Sequence, residues 1–313
     1  MSNNTRVFPL IERLRTRQGR RKIFVWSILI PILTWFMIYM FVPIVSVFLY
    51  SFTNAKMQYT DFKWVGLTNY TRMLVDDPLV PIAVMNTIKA VLIILPGTVL
   101  LALLLATALN AVTNKARETF TFIYFMPSVV PMTAIALVWS WLYHPQYGLL
   151  NALFGMIGIP AQKFIQDSGQ ALLCICIVQI WYNFGYYAVV LLAAIRNVSA
   201  DVLEAADMDG AGPLTKFFRI VIPLIKPNLI FVSIMSTINA FMLFTPVDVL
   251  TLGRGTPGTS TMVLMLKIKI DGIQQGDIGY GSSMSMLLLA IIMAVSLVQW
   301  ILSQEGKQGT RKA

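Results

Sequence analysis

The feature that most constrains this chain is a set of six charge-free apolar runs, each long enough to cross a lipid bilayer. A transmembrane helix needs about 20 mainly apolar residues. The composition, 57% hydrophobic and 12% charged, indicates that lipid is the main solvent. Because the runs lack the alternation of barrel strands, helices are the structure that satisfies their backbone in lipid. We predict an all-α polytopic membrane protein with six transmembrane helices, at 23–51, 90–110, 120–143, 171–195, 228–247 and 284–302.

The distribution of Lys and Arg predicts the orientation of the chain. Six spans place both termini on one side, and 16 of the 24 Lys and Arg residues lie in the two tails and in the second and fourth loops. Positive residues accumulate on the cytoplasmic side of membranes, so we predict that both termini are cytoplasmic. The predicted organisation is a basic tail (1–22), a first transmembrane helix (23–51), a five-helix transmembrane domain (84–302) and a second tail (303–313).

Charge and rare residue types exclude other classes of protein. The net charge of +10 is concentrated at membrane flanks, and there is no soluble domain to carry a nucleic-acid surface. One histidine, and two cysteines in a single run, provide no metal site. The glycine-rich loop at 253–260 lacks the lysine of a phosphate-binding loop. We therefore expect no nucleic-acid partner, no metal and no nucleotide site in this chain.

One charged segment lies between the fourth and fifth apolar runs. Ser199 or Asp201 can cap the start of a helix, and Glu204 lies three residues after Asp201, as in a capping box. Gly210 suits the left-handed backbone that ends many helices. The pattern predicts a short helix over 200–209.

The same segment has the form of a plug for a soluble partner. The small residues at 205, 206 and 210 allow a partner's side chains to approach closely. Pro213 can begin a second helix, which we expect Pro223 and Pro227 together to break as the fifth run begins. The alternative is an ordinary amphipathic loop that lies on the membrane surface.

The spacing in this segment resembles a known motif, the EAA loop of permease subunits of bacterial ATP-binding cassette importers. The matching residues are Glu204-Ala205-Ala206, Gly210, Ile220 and Pro223, within the loop 199–223. Other stretches resemble the sugar-permease branch of these importers, which includes the maltose, oligosaccharide and glycerol-phosphate systems. They lie at 66–70, 86–87, 125–128, 139–142, 147–151 and 278–281.

The resemblance implies a type I importer permease core and a division of labour among subunits. An extracytoplasmic solute-binding protein would deliver a sugar or oligosaccharide, and a second homologous permease would complete a heterodimer. Two ATPase subunits would bind ATP and Mg²⁺, so this chain would carry no cofactor and no catalytic residue. The location would be the bacterial inner (plasma) membrane. The expected ATPase-coupling residues are Glu204, Ala205, Ala206, Asp209, Gly210, Ile220 and Pro223.

A sugar pathway should offer aromatic faces and hydrogen-bonding groups inside a helix-lined cavity, since polar groups that face lipid are costly. The fourth and fifth runs contain this mixture. The spacing places 182, 183 and 186 on one side of a helix, and likewise 241, 244, 245 and 248. The alternative is that the aromatics pack between helices and the amides join spans. The candidates are Tyr182, Asn183, Tyr186, Asn239, Phe241, Phe244, Thr245 and Asp248.

Two other classes of function remain as alternatives. An ion-coupled secondary transporter or channel uses carboxylates within its spans. A multi-pass membrane enzyme needs a cluster of acid, base, nucleophile or metal ligands. Nearly all 14 acidic residues of this chain lie in loops or at the ends of runs, which favours the importer.

Overall fold

The computed structural model describes residues 17–58 and 62–309, and across these residues the chain is helical apart from loops and one isolated bridge between Thr53 and Trp64. The all-α prediction is confirmed. Within the described residues, 5 helices are long and apolar enough to cross a membrane, and up to 6 if one bent pair counts as a single span. In chain order the spans are Phe24–Tyr50, Leu79–Ala111, Asn114–Val129 with Met132–Leu142, Ala171–Arg196, Lys226–Leu250 and Ile278–Ser303.

Shorter helical elements lie between the spans. The first span contains a π-helical turn, Met37–Phe41, and the last helix continues to Gly309. The short elements are Thr68–Thr71, Arg72–Asp76, Leu149–Met156, Phe164–Gln166, Ala200–Met208, Pro213–Lys216, Phe217–Val221, Ile222–Leu224, Leu264–Ile268 and Lys269–Gln274. We call the side of the spans that carries residues 199–223 the loop face, and the opposite side the far face.

Prolines break two of the predicted spans into separate helices. The predicted span 120–143 consists of two helices, Asn114–Val129 and Met132–Leu142, which meet at 98°. Pro131 lies at this break and accounts for it. Proline lacks a backbone N–H, and its ring clashes with the carbonyl four residues earlier. In the fifth span the same effect of Pro246 interrupts the helix at 242–244, so Thr245–Leu250 is a separate element.

The second span, Leu79–Ala111, forms the centre of the bundle. It begins well before the predicted residue 90 and packs against the fourth and fifth spans. Alanines at 83, 90, 102 and 106 are fully buried along it, and small residues let membrane helices approach closely. The first span, by contrast, has no buried residue in its apolar window and lies at the edge of the bundle.

Gly185 marks the tightest helix contact in the bundle. A Cβ atom at this position would lie 1.8 Å from the Tyr124 carbonyl oxygen, so the fourth span rests directly on the backbone of the third. We expect Gly185→Ala to destabilise the protein by at least the about 1–3 kcal/mol typical of overpacking. Thermal unfolding in detergent measures the effect. Gly155→Ala is the matched control, because nothing lies within 4 Å of its added Cβ. Equal melting temperatures for the two variants would contradict this reading of the packing.

Candidate functional site

Two apolar clusters divide the bundle by depth. The far-face cluster includes buried residues at 80–94 of the second span, 174–180 of the fourth and 240–250 of the fifth. The loop-face cluster includes buried residues at 102–109, 187–195 and 221–232. Between them, each of these three spans has an interval that belongs to neither cluster. We call the polar residues in and next to these intervals the polar layer. They are Thr98, Asn183, Tyr187, Ser236 and Asn239.

The polar layer contains buried polar groups that no described residue hydrogen-bonds. Asn239 Nδ2 donates a hydrogen bond of 2.7 Å to the Tyr187 hydroxyl. Among the described residues, however, Thr98 Oγ1, Asn183 Nδ2 and Ser236 Oγ are buried without a hydrogen-bond partner. Buried polar groups are almost always paired, because burial without a partner costs free energy. These three groups lie in the intervals between the two clusters, and such groups can bind a polar molecule.

The structure separates the pocket candidates of the fourth span. Asn183 is buried in the polar layer, whereas Tyr186 is 46% exposed and packs near Phe125. Tyr182 is half-buried, with its hydroxyl 3.4 Å from the Ser128 carbonyl oxygen. The three therefore have different surroundings, although they are close in sequence. Tyr187, which the sequence analysis did not select, is the residue that reaches Asn239.

The candidates of the fifth span are divided by the proline break. Asn239 belongs to the polar layer, and Phe241 is buried in the far-face cluster. Phe244, Thr245 and Asp248 lie beyond the break, so the predicted common helical side for 241–248 is wrong.

Asp248 has a partner that the sequence analysis missed. Its carboxylate accepts a bond of 2.5 Å from Lys269 Nζ, and this ammonium lies 5.6 Å from the centre of the Phe244 ring. Both side chains of the ion pair are partly exposed, at 24% and 26%. An acid at the end of a span signals a cationic partner, but only the fold identifies which one.

A second and more deeply buried group of charges lies on the far face. Lys267 Nζ is 2.7 Å from Asp77 Oδ2 and 2.7 Å from Asp271 Oδ2, and the Tyr280 hydroxyl donates to Asp77 at 2.8 Å. Lys267 and Asp271 are each 4% exposed. We call these four residues, with the adjoining pair Arg72 and Asp277 at 2.9 Å, the far-face ion cluster. It joins the start of the second span, the segment 264–274 and the start of the sixth span.

Hydrogen bonding in this cluster favours the charged form of Asp77. Burial alone would raise the pKa of Asp77, but bonds from Lys267, Tyr280 and the Leu79 N–H outweigh burial and hold that pKa below its usual value. The stabilisation from Asp77 is therefore present above its ordinary pKa. It is lost only as the pH falls through the lowered value.

The segment on the loop face forms the predicted short helix, Ala200–Met208. Gly210 follows in the left-handed region with φ of +73°, as expected for the end of a helix. The predicted capping box of Asp201 and Glu204 is not formed, because the helix begins at Ala200 and Asp201 lies inside its first turn. Ser199 occupies the N-cap and makes no side-chain capping bond. Instead, the Asp207 side chain accepts a bond of 2.5 Å from Lys216, which links the helix to the next one.

The second helix of the loop continues through Pro223 and ends before Pro227, as predicted. Helical structure extends from Pro213 to Leu224 through a π-helical turn, Phe217–Val221, and breaks at Ile225. The wider turn explains how Pro223 is accommodated, since a regular α-helix would place its ring against the carbonyl four residues earlier.

The predicted coupling residues differ in exposure. Glu204, Ala205, Asp209, Gly210 and Pro223 are exposed, Ile220 is half-buried, and Ala206 is buried within this chain. Beside the small residues, four apolar side chains of this loop are also exposed. They are Val202, Met208, Leu214 and Phe218, and Met208 is 89% exposed.

The loop is packed onto the bundle by its other side. Leu203, Phe217 and Ile222 lie against the loop-face cluster, which also contains residues of the second, fourth and fifth spans. The short helix is therefore in packed contact, through these side chains, with three spans. We call the following set of exposed residues of this loop the coupling surface. They are Val202, Glu204, Ala205, Met208, Asp209, Gly210, Leu214, Phe218 and Pro223.

Comparison with known proteins identifies the family of this chain. Residues 98–305 match the family described as binding-protein-dependent transport system inner membrane component. The sulfoquinovosyl glycerol transport system permease protein SmoG of Agrobacterium fabrum is 30% identical over 255 residues, covering 78% of this chain and 82% of the relative. The probable ABC transporter permease protein YurN of Bacillus subtilis is 31% identical, covering 93% and 99%.

Two further similarities support the fold and the length of the match. The trehalose/maltose transport system permease protein MalF of Thermococcus litoralis is 28% identical, covering 95% of this chain and 97% of the relative. A chain from the crystal structure of a bacterial alginate ABC transporter, in complex with a periplasmic protein bound to an alginate pentasaccharide, superposes with a TM-score of 0.80. It is 20% identical, covers 93% of this chain and 98% of that chain, and shares the fold. This chain thus belongs to the binding-protein-dependent transport system inner membrane components.

Proposed function

We propose that this chain is the permease subunit of an ATP-driven importer that moves a sugar or oligosaccharide across the bacterial inner membrane. The observation that carries the proposal is the polar layer, in which Thr98, Asn183 and Ser236 have buried polar atoms without a hydrogen-bond partner among the residues that the structure describes. The names of the relatives, which include sulfoquinovosyl glycerol, arabinooligosaccharide and trehalose/maltose systems, support a sugar-like solute.

The partners follow from the family and from the two faces of the molecule. On this proposal the far face is extracytoplasmic and receives a solute-binding protein, while the loop face and both termini are cytoplasmic. A second, homologous permease completes a heterodimer. Two ATPase subunits hold ATP and Mg²⁺ and engage the coupling surfaces of the two permeases.

The proposed mechanism is alternating access driven from the coupling surface. Closure of the ATPases on ATP moves the short helix of each permease, and the loop-face cluster passes that motion to the second, fourth and fifth spans. ATP can shift the equilibrium only through its different affinity for the two states of the complex. The polar layer then opens to the far face in one state and to the loop face in the other.

Reconstitution tests the proposal and separates it from an ion-coupled transporter. We expect proteoliposomes that contain both permeases and the ATPase to take up labelled sugar only when ATP is inside the cytoplasmic compartment and the binding protein is outside. Uptake should persist when a protonophore and ionophores dissipate the ion gradients. Uptake that follows an ion gradient without ATP would overturn the proposal.

Asn183 provides a residue-level test of the solute pathway. Asn183→Leu keeps the approximate volume and removes an amide whose Nδ2 has no protein partner, so the melting temperature should not fall. If the amide binds solute, losing one hydrogen bond of about 1–1.5 kcal/mol should weaken solute-dependent ATP turnover about tenfold.

Asn239→Leu is the matched control for this experiment. It breaks the 2.7 Å bond to the Tyr187 hydroxyl, so it should lower the melting temperature as well as affect turnover. Unchanged solute dependence in Asn183→Leu would remove that residue from the pathway.

A further inference from the structure

The chain between the third and fourth spans lacks charge over an unusual length. From residue 119 to residue 162 there is no Asp, Glu, Lys or Arg, although the third span ends at Leu142. The other two far-face segments carry several charges each, including Lys63 and Arg72 in one and Arg254 and Lys269 in the other. A segment that faces only water normally carries charged residues, so their absence from 119 to 162 calls for an explanation.

The charge-free segment contains a short helix, Leu149–Met156, with apolar residues on two sides. One side packs inward, where Phe154 lies 6.0 Å from the ring of Phe164. The other side presents Leu149, Leu153 and Met156, whose spacing places them together on the surface of a helix. All three are exposed, Met156 to 81%, and Ile157 and Ile159 extend the exposed apolar surface beyond the helix.

Asn151 fixes the direction of this helix. Its Nδ2 donates to the carbonyl oxygens of Pro145 and Gln162 at 2.9 and 2.8 Å, and its Oδ1 accepts from the Gln162 N–H at 2.9 Å. One side chain thus ties together the two ends of the segment. The exposed side is therefore held outward by the fold and is not a loose loop that happens to be turned away from the core.

The second half of the third span, which precedes this segment, also exposes apolar side chains. Leu137, Val138 and Trp141 are exposed on Met132–Leu142, and Tyr147 is exposed on the turn that leads into the short helix. Trp and Tyr are enriched where membrane proteins meet the lipid headgroups. A non-obligate protein-binding surface is normally about as polar as the rest of a protein surface, whereas residues 119–162 contain no charged residue.

We propose that residues 149–159 lie in the interfacial region of the far-face leaflet, with Leu149, Leu153, Met156 and Ile157 among the lipid acyl chains. The partner is the phospholipid itself, bound through apolar contact and not through a charged headgroup. The segment anchors the far-face half of the third span, which packs against Thr245–Leu250 of the fifth. This inference depends on neither the solute nor the ATPase.

Depth-dependent fluorescence quenching tests the proposal in the assembled transporter. Both native cysteines, Cys174 and Cys176, are buried, so a new surface cysteine can be labelled selectively with an environment-sensitive dye. We would label Met156→Cys in proteoliposomes and compare it with Leu252→Cys, which is also on the far face and is 82% exposed in a segment that carries charges. Ile157→Cys serves as a second reporter.

The expected result is that lipids spin-labelled about 5–10 Å below the headgroups quench the dye at 156 and 157, the depth at which interfacial helices bury their apolar face. Aqueous iodide should quench the dye at 252 and leave the other two nearly unaffected. Equal iodide quenching at 156 and 252 would overturn the proposal. So would shielding of 156 that appears only when the solute-binding protein is added, or crosslinking of 156 to the second permease without quenching by lipid.

Discussion

Ala205→Arg should abolish ATP-driven uptake while the chain still inserts in the membrane and pairs with its partner permease. Ala205 is exposed on the coupling surface, whereas the neighbouring Ala206 is buried within this chain. An unpaired charge buried in an interface costs several kcal/mol. Since about 1.4 kcal/mol is a tenfold change in affinity, we expect binding of the ATPase to weaken by about 100-fold or more.

Uptake and co-purification of the ATPase measure this effect. Ala111→Arg is the matched control, because Ala111 is an exposed alanine at the loop-face end of the second span. A cation near the C-terminal end of a helix is tolerated or favourable, so this variant should transport normally. If Ala205→Arg retained its ATPase and normal uptake, the coupling surface would be wrongly placed.

Lys267→Met should cause the largest loss of stability of any single charge removal that we predict. Lys267 Nζ contacts both Asp77 and Asp271 at 2.7 Å, and the side chain is only 6% exposed. Its removal leaves two buried carboxylates without their shared cation. Breaking a buried ion pair in this way typically costs about 3–5 kcal/mol. The melting temperature of the purified protein in detergent or nanodiscs measures the loss.

Lys269→Met is a close control for this prediction. It makes the same chemical change two residues away, but the Lys269–Asp248 pair is partly exposed, and such pairs contribute about 0–1 kcal/mol. Adding Asp77→Asn and Asp271→Asn to Lys267→Met should recover part of the stability, because no unpaired carboxylate then remains in the site. Similar melting temperatures for Lys267→Met and Lys269→Met would contradict the large contribution to stability that we assign to the far-face ion cluster.

Features that depend on local sequence were predictable. The charge-free runs indicated the spans because a helix exposed to lipid cannot carry many charges. Gly210 indicated the end of a helix because glycine readily adopts the left-handed backbone found there. The loop 199–223 was recognisable for the same reason, since its motif is a matter of spacing along the chain. The prolines that break the third and fifth spans were visible too, but proline alone does not tell whether a membrane helix bends or ends.

Features that depend on contacts between distant residues were not predictable. Asn239 and Tyr187 meet across two spans, and Lys269 reaches Asp248 from a segment on the far face. The burial of Ala206 depends on how the short helix packs against its own bundle. Hydrophobic spacing identified a mixed polar and aromatic region, but it could not separate residues that pack from residues left without a partner.

Crosslinking from the tip of the short helix tests the central claim, that the coupling surface docks on a separate ATPase. Met208 is 89% exposed, and both native cysteines are buried, so Met208→Cys provides one accessible thiol among the described residues. With a short bifunctional thiol reagent in membranes that contain the whole transporter, we predict a crosslink to a cysteine in the ATPase groove whose yield changes when ATP binds. A thiol at 208 that reacts freely with soluble maleimide in the assembled transporter, and never crosslinks to the ATPase, would contradict the account.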